Sequence, residues 1–150
     1  MKVDRVYTRK VMATTRSTSL AEAAAAMRRY SVGSLLVLED GGNGRPVGIV
    51  TDRDLALEGF AAESCTAGAA MTPVIATVRA DADLHEALEL MRAHGVRRLV
   101  VTSAAGDIEG ILSIDDIVDG LSADLAAAAA VLKGEVKRDA GGLGEVLLGG

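Results

Sequence analysis

Along the first half of the chain, apolar Leu20, Ala23, Ala24 and Met27 fall at i, i+3, i+4 and i+7, and Leu84, Ala87, Leu88 and Met91 repeat the spacing in the second half. One amphipathic helix is predicted at each place, because that spacing puts the apolar residues on a single helical face. Ser19 with Glu22, and Asp83 with Glu86, read as capping boxes that open the two helices. After the first helix, aliphatic runs at 35–38 and 47–50 flank the Gly-Gly-Asn-Gly segment at 41–44, which predicts a hairpin. Residues 99–101 and 111–112 do the same around 104–107. A short strand is predicted at 74–78, with 10–14 as its counterpart in the first half, and a short helix is predicted to start at Thr51 and again at Ser113. Each half therefore reads β-α-β-β-α.

The two halves are copies. Leu20, Glu22, Ala23, Met27 and Arg28 recur as Leu84, Glu86, Ala87, Met91 and Arg92, and Thr8, Val32, Leu35 and Val37 recur as Thr72, Val96, Leu99 and Val101, all at one offset. The loop at 40–46 is two residues longer than its counterpart. Beyond it, Gly48, Ile49, Thr51 and Asp54 match Gly110, Ile111, Ser113 and Asp116. Chance similarity between two Ala-rich helices would not continue through a Gly-rich loop into the next element. The organisation read from the repeat is copy one at 1–60, a small-residue linker at 61–70, copy two at 65–122, and a C-terminal helix and flexible tail at 123–150. A unit of about 60 residues buries little surface, so the copies are expected to share a core.

Composition narrows the function. The 150 residues are 49% hydrophobic and 25% charged, with a net charge of −5, and only 2% are aromatic: Tyr7, Tyr30 and Phe60. An acidic chain without aromatic platforms is poorly made for nucleic acid, where phosphate neutralisation and base stacking supply most of the affinity. A single cysteine, Cys65, excludes an internal disulfide. Residues 1–10 show no apolar signal region, and no stretch approaches the roughly 20 apolar residues of a membrane span. The expected compartment is the cytoplasm, with no membrane contact.

One motif carries chemistry: Gly, two aliphatics, Thr or Ser, two residues, Asp, at 48–54 and 110–116. Structurally, Thr51 and Ser113 are good N-caps and the acid three residues on completes the cap. Functionally, a hydroxyl and free amides at a helix start suit an anion, and a nearby carboxylate can accept both hydroxyl hydrogens of a ribose diol. Together they suit a nucleotide.

These residues resemble the CBS domains, whose tandem pairs form a Bateman module. The resemblance covers roughly residues 3–122 and rests on 74–78 with its following helix, on Gly-Val-Arg-Arg-Leu at 95–99, and on the two Gly-aliphatic-aliphatic-Thr/Ser-x-x-Asp segments. It implies an α+β pair of repeats with quasi-twofold symmetry, forming one module with two clefts between the copies. It also implies binding of adenosyl ligands such as AMP, ADP, ATP or S-adenosylmethionine, a regulatory role toward a partner protein, and a homodimer. Carried over by position, Asp54 and Asp116 would hold ribose hydroxyls, with Thr51 and Ser113 at the phosphate. Val11 and Met12, and Ile75 and Ala76, would flank the adenine. Arg97, Arg98 and Arg53 are the candidates for a di- or triphosphate. The first copy has uncharged Gly33 and Ser34 where the second has Arg97 and Arg98, so cationic help is expected from one copy only and the two sites are expected to differ.

Other residues are not promoted. His85 and His94 have no Cys or acidic cluster at metal-ligand spacing, so no metal site is expected. Cys65 has no adjacent base. The loop at 41–44 lacks the Gly-Lys-Ser/Thr of a phosphate loop. Asp115 and Asp116 are sequence neighbours and point to different helix faces. No acid, base and nucleophile set emerges, so catalysis is not expected. Residues 122–133 read as an Ala-rich helix stopped by Gly134, beyond which Leu143, Val146, Leu147 and Leu148 belong to a frayed tail or dock on a partner. The competing reading is a ligand-independent dimerisation or docking module of the same fold.

Overall fold

The computed structural model describes residues 1–41, 44–58, 65–74 and 76–148, with side chains up to residue 134. After a 3-10 turn at Val3–Arg5, the first copy supplies β1 (Ala13–Thr15), α1 (Leu20–Tyr30), β2 (Ser34–Leu38), β3 (Pro46–Thr51) and α2 (Asp52–Glu58). Next come α3 (Ala67–Ala70) and β4 (Thr72–Pro73), then β5 (Thr77–Arg79), α4 (Leu84–His94), β6 (Arg98–Thr102), β7 (Ile108–Ser113) and α5 (Ile114–Leu148). The α+β pair of repeats expected from the sequence is present. In each copy a first strand runs parallel to the second, which pairs antiparallel with the third, and both hairpins carry an irregularity at matching places, Val37/Leu38 and Val101/Thr102.

Strand burial follows from the period-two alternation of side chains. Leu35 and Val37 point into a core with Ala23 and Met27 of α1, whereas Leu36 between them joins Ile49, Val100 and Ile111 in a cluster that glues the two sheets together. The second copy does the same with Leu99 and Val101 facing Met91 of α4 and Val100 facing the other sheet. Sheets buried on both faces explain the uninterrupted aliphatic runs.

The leading segment of each copy packs with the other copy. Val3 and Tyr7 are buried in the second copy's core, Val3 N donates to Ala82 O at 2.9 Å, and Thr8 bridges to Ile111 of β7. Symmetrically, Ala67 of α3 is buried in the first copy's core, its N donates to Thr18 O at 2.8 Å, and β4 pairs with β3. The segment expected to be a linker at 61–70 thus contains a core element; residues 59–64 lie outside the described residues. The motif glycines serve this exchange. A Cβ on Gly110 would run into Thr8 O and the Tyr7 ring, and one on Gly48 into the Met71 side chain and Thr72 O.

Local structure differs from the sequence reading at three points. The capping box at Ser19 and Glu22 forms, but Asp83 makes no side-chain cap; its carboxylate pairs with Lys2 Nζ at 3.2 Å instead. The first strand of each copy is shorter than predicted and sits at 13–15 and 77–79; ahead of β1, Met12 O still accepts from Leu36 N of β2 at 2.9 Å, whereas Thr8 has already turned away to exchange hydrogen bonds with Ile111 of the other copy. The helix expected at 122–133 has no separate start at Ser122 and no stop at Gly134: α5 is one helix from Ile114 to Leu148. A glycine stop needs a left-handed residue, and Gly134 has none, so it is carried at the roughly 1 kcal/mol that glycine costs inside a helix.

A left-handed residue does close α1. Ser31 sits at φ 53 where the equivalent Gly95 closes α4 at φ 63. Ser31 pays the Cβ penalty that Gly95 avoids. Ser31→Gly is therefore expected to stabilise the chain by about 1 kcal/mol, raising the midpoint of a thermal melt by roughly 2–4 °C.

Candidate functional site

The two Gly-aliphatic-aliphatic-Thr/Ser-x-x-Asp segments run off the ends of β3 and β7 into helices. At the first, Thr51 N and Oγ1 both donate to Asp54 Oδ2, at 2.9 and 3.0 Å, and Asp54 N donates back to Thr51 Oγ1 at 3.2 Å. At the second, Ser113 N donates to Asp116 Oδ2 at 2.8 Å and Asp116 N to Ser113 Oγ at 3.1 Å. These are reciprocal capping boxes. In both carboxylates Oδ2 is committed to the cap, and Oδ1 accepts no protein hydrogen bond among the described residues.

The remaining amides of the helix starts are largely occupied. Asp52 N donates to Gly33 O at 3.0 Å, Arg53 N to its neighbour Asp52 Oδ1 at 2.8 Å, and Ile114 N to Arg97 O at 2.9 Å. Of the amides that the sequence offered to a phosphate, Asp115 N alone has no protein acceptor among the described residues; the others are taken up by the caps, by Asp52 Oδ1 and by the preceding loops. An anion at these clefts therefore depends mainly on side-chain cations.

Two clefts lie between the copies. One, of about 270 Å³, is lined by Ser113, Asp116 and Arg98 of the second copy facing Lys10, Val11 and Asp52 of the first, with Gly33 and Ser34 between. The other, of about 220 Å³, is lined by Thr51 and Ile49 of the first copy facing Val74, Val96, Arg97 and Arg98 of the second. Thr8 and Thr72, which are equivalent positions, stand one in each.

The structure brings together part of the predicted set. Val11 joins Ser113 and Asp116, and Arg97 and Arg98 join Thr51; Asp54 is bonded to Thr51 through its cap but lines neither cleft. Met12 packs in the first copy's core and Ala76 in the second's, so neither faces a cleft as expected. Ile75 lies outside the described residues. Arg53 is exposed on α2 and lines neither cleft. Lys10 and Asp52 were missed. The expectation that cations come from one copy only is corrected by Lys10, which stands where the second copy has uncharged Val74, and was legible only by comparing the residues before β1 and β5 as well as the Arg-Arg pair. Asp52 likewise has an apolar equivalent, Ile114.

The clefts differ electrostatically. The Asp116 cleft sets Lys10 and Arg98 against Asp52 and Asp116, whereas the Thr51 cleft is lined by Arg97 and Arg98 with aliphatic walls and no carboxylate. Arg97 is only loosely tethered, 3.9 Å from Asp115 with both side chains about three-quarters exposed. Among the described residues no three His, Cys, Asp or Glu side chains are grouped to hold a metal ion, and no helix is long and apolar enough to cross a membrane.

The CBS domain pattern matches twice, over residues 3–59 and 67–123. The chain belongs to the CBS domain family. It is a tandem CBS pair. Among its relatives are an uncharacterized protein of Methanopyrus kandleri, 30% identical over 79% of this chain and 61% of the relative, and an uncharacterized 17.7 kDa protein of Acidianus ambivalens, 31% identical over 80% of this chain and 73% of the relative. The chain thus spans between about three-fifths and three-quarters of these relatives' length. A CBS domain protein from Pyrobaculum aerophilum, solved in complex with AMP, superposes with a TM-score of 0.62 at 25% identity, covering 77% of this chain and 89% of that one.

Proposed function

We propose that this CBS pair is a regulatory module that binds an adenosyl ligand in the clefts between its copies and conveys occupancy to a partner protein. The observation that carries this reading is that each cleft joins a capped Thr/Ser-Asp helix start of one copy to cations or aliphatic residues of the other. In the one cleft the free Oδ1 of Asp116 accepts a ribose hydroxyl; in the other that part falls to Asp54, which is capped to Thr51 and stands outside the lining, so it reaches the ribose only once a ligand is seated. The phosphate rests on Lys10 and Arg98, or on Arg97 and Arg98. Val11 with Ile111, and Val74 with Ile49, wall the adenine. The AMP complex of the Pyrobaculum relative supports the choice of ligand class. Clefts of about 270 and 220 Å³ fall just below the roughly 300–1,000 Å³ of ordinary small-molecule sites and suit one mononucleotide each rather than a dinucleotide. The Thr51 cleft, with no carboxylate among its lining residues, suits the phosphates of AMP, ADP or ATP, and the mixed-charge Asp116 cleft suits a ligand of lower net charge, AMP or S-adenosylmethionine. The residues hold a ligand and supply no nucleophile or general base, so the role is binding rather than catalysis, in the cytoplasm where such ligands circulate.

Thermal melting with AMP, ATP and S-adenosylmethionine tests this. A ligand at 100 times its dissociation constant adds about 2.7 kcal/mol, which is roughly a 5–10 °C rise. A midpoint unchanged by all three at millimolar concentration overturns the adenosyl reading.

A second reading, assembly without a ligand, is favoured by one face of α5. Val118, Leu121, Leu125, Ala128 and Leu132 follow a heptad's 3-4 alternation, and the four large ones are 46–72% exposed. That is the seam of a helix pair, and a second copy is the occupant consistent with the expected homodimer. The side chains of Leu143, Val146, Leu147 and Leu148 lie outside the described residues. Sedimentation is expected to show a dimer that Leu125→Glu converts to monomer; a monomeric parent chain at tens of micromolar would dismiss this reading.

A further inference from the structure

Ser34 and Arg98 are equivalent residues, each opening the second strand of its sheet opposite the helix-capping residue of the next strand: Ser34 pairs with Thr51 and Arg98 with Ser113. An evenly duplicated module would carry two arginines here or none. This chain carries one, and it lines both clefts, whereas the short Ser34 lines only the Asp116 cleft. Among the described residues no carboxylate lies within ion-pair distance of Arg98, although Asp52 and Asp116 line one of the same clefts, and the side chain is exposed. Lys10 and Arg97, by contrast, each line one cleft. With the helix-start amides mostly occupied by their own caps, an anion in either cleft depends on these three cations.

We infer that Arg98 is a single cation shared by two sites, so that an anionic ligand in one cleft withdraws it from the other and the clefts fill with negative coupling. The inference rests on the adenosyl reading but adds to it a regulatory property: the pair responds over a wider range of ligand concentration than two independent sites. One guanidinium cannot make charge-assisted hydrogen bonds to two separate phosphates at full strength. Losing one such contact weakens a site by about tenfold. By reciprocity, each ligand weakens the other by the same factor. An uncharged ligand draws nothing from Arg98 and feels no coupling.

Calorimetric titration with AMP and with adenosine separates the possibilities. Asp54→Ala and Asp116→Ala chains give the affinity of each cleft alone. In the parent chain the second AMP is expected to bind about tenfold more weakly than the weaker of those values predicts for independent sites. In Arg98→Ser, which restores the identity of the equivalent position, both clefts are expected to weaken and the penalty to vanish, with the same two single-cleft variants built on that background. Adenosine is expected to show no penalty in either chain. Arg97→Ser serves as the control: it weakens the Thr51 cleft and leaves the coupling in place. A parent chain whose two AMP steps match the single-cleft values overturns the inference while leaving the adenosyl reading intact, as does a penalty that survives Arg98→Ser. AMP binding to neither cleft overturns both. Unaltered melting of Arg98→Ser without ligand confirms that the exposed substitution is structurally silent.

Discussion

Gly110→Ala is expected to destabilise the chain by about 3 kcal/mol, lowering the melting midpoint by roughly 6–12 °C, and Gly48→Ala by about 1 kcal/mol. Both glycines hold the same motif position and both back onto the leading segment of the other copy. The difference lies in what a new methyl group meets. At Gly110 it runs into the Thr8 carbonyl and the ring of Tyr7, which is buried, leans under the Arg9 guanidinium at 4.4 Å and donates from its hydroxyl to Glu109. None of these has room to move without breaking the Thr8–Ile111 bridge. At Gly48 the two nearest atoms belong to the Met71 side chain, which is unbranched and can swing aside, and the Thr72 carbonyl stands at 2.9 Å, where a small shift suffices, whereas the Thr8 carbonyl at Gly110 stands closer still. Chemical denaturation of the two variants side by side checks the order; equal losses would mean that the leading segments yield as easily in both copies.

Asp116→Ala is expected to remove one of two AMP-binding events, weakening that cleft by about a hundredfold, and to cost about 1 kcal/mol of stability through its cap. Ser113→Ala separates the two effects. It loses the hydroxyl that accepts from Asp116 N but keeps the carboxylate, so it is expected to reproduce the stability loss with less than a tenfold loss of affinity. Calorimetry on the pair decides. Full two-site stoichiometry in Asp54→Ala combined with Asp116→Ala would remove both carboxylates from the site.

The elements of the fold were legible where one face of an element must be buried. The i, i+3, i+4 spacing at Leu20 and Leu84 located α1 and α4, and the aliphatic runs at 35–38 and 99–101 located strands buried on both faces. The repeat offset supplied the pairing of like with like. It carried no information on which copy an element packs against, because equivalent residues remain equivalent whether segments stay home or cross over. Hence Val3 and Ala67, completely buried, looked like a start and a linker. Gly134 read as a stop because glycine type, not backbone angle, is visible in a sequence. At the clefts, the paired Thr/Ser and Asp residues stood out by repetition, whereas Lys10 and Asp52 were hidden because their equivalents, Val74 and Ile114, are uncharged. The occupied amides were hidden for another reason: a helix start announces its orphan donors in sequence, but the loop carbonyls of Gly33 and Arg97 that satisfy two of them belong to the tertiary structure.

The crossing of the leading segments also sets an order of events on the ribosome. Val3 and Tyr7 leave the exit tunnel early, yet their partners reach to Leu112 and Ile117, and Thr8 waits for Ile111. At about 5–20 residues per second, the Val3–Tyr7 segment remains without its native contacts for roughly 5–20 s. The first copy is likewise short of Ala67 until α3 has emerged. The segment at residues 3–8 is therefore among the last parts of this pair to be placed, and a nascent chain stalled before β7 presents Val3 and Tyr7 to chaperones rather than to a core.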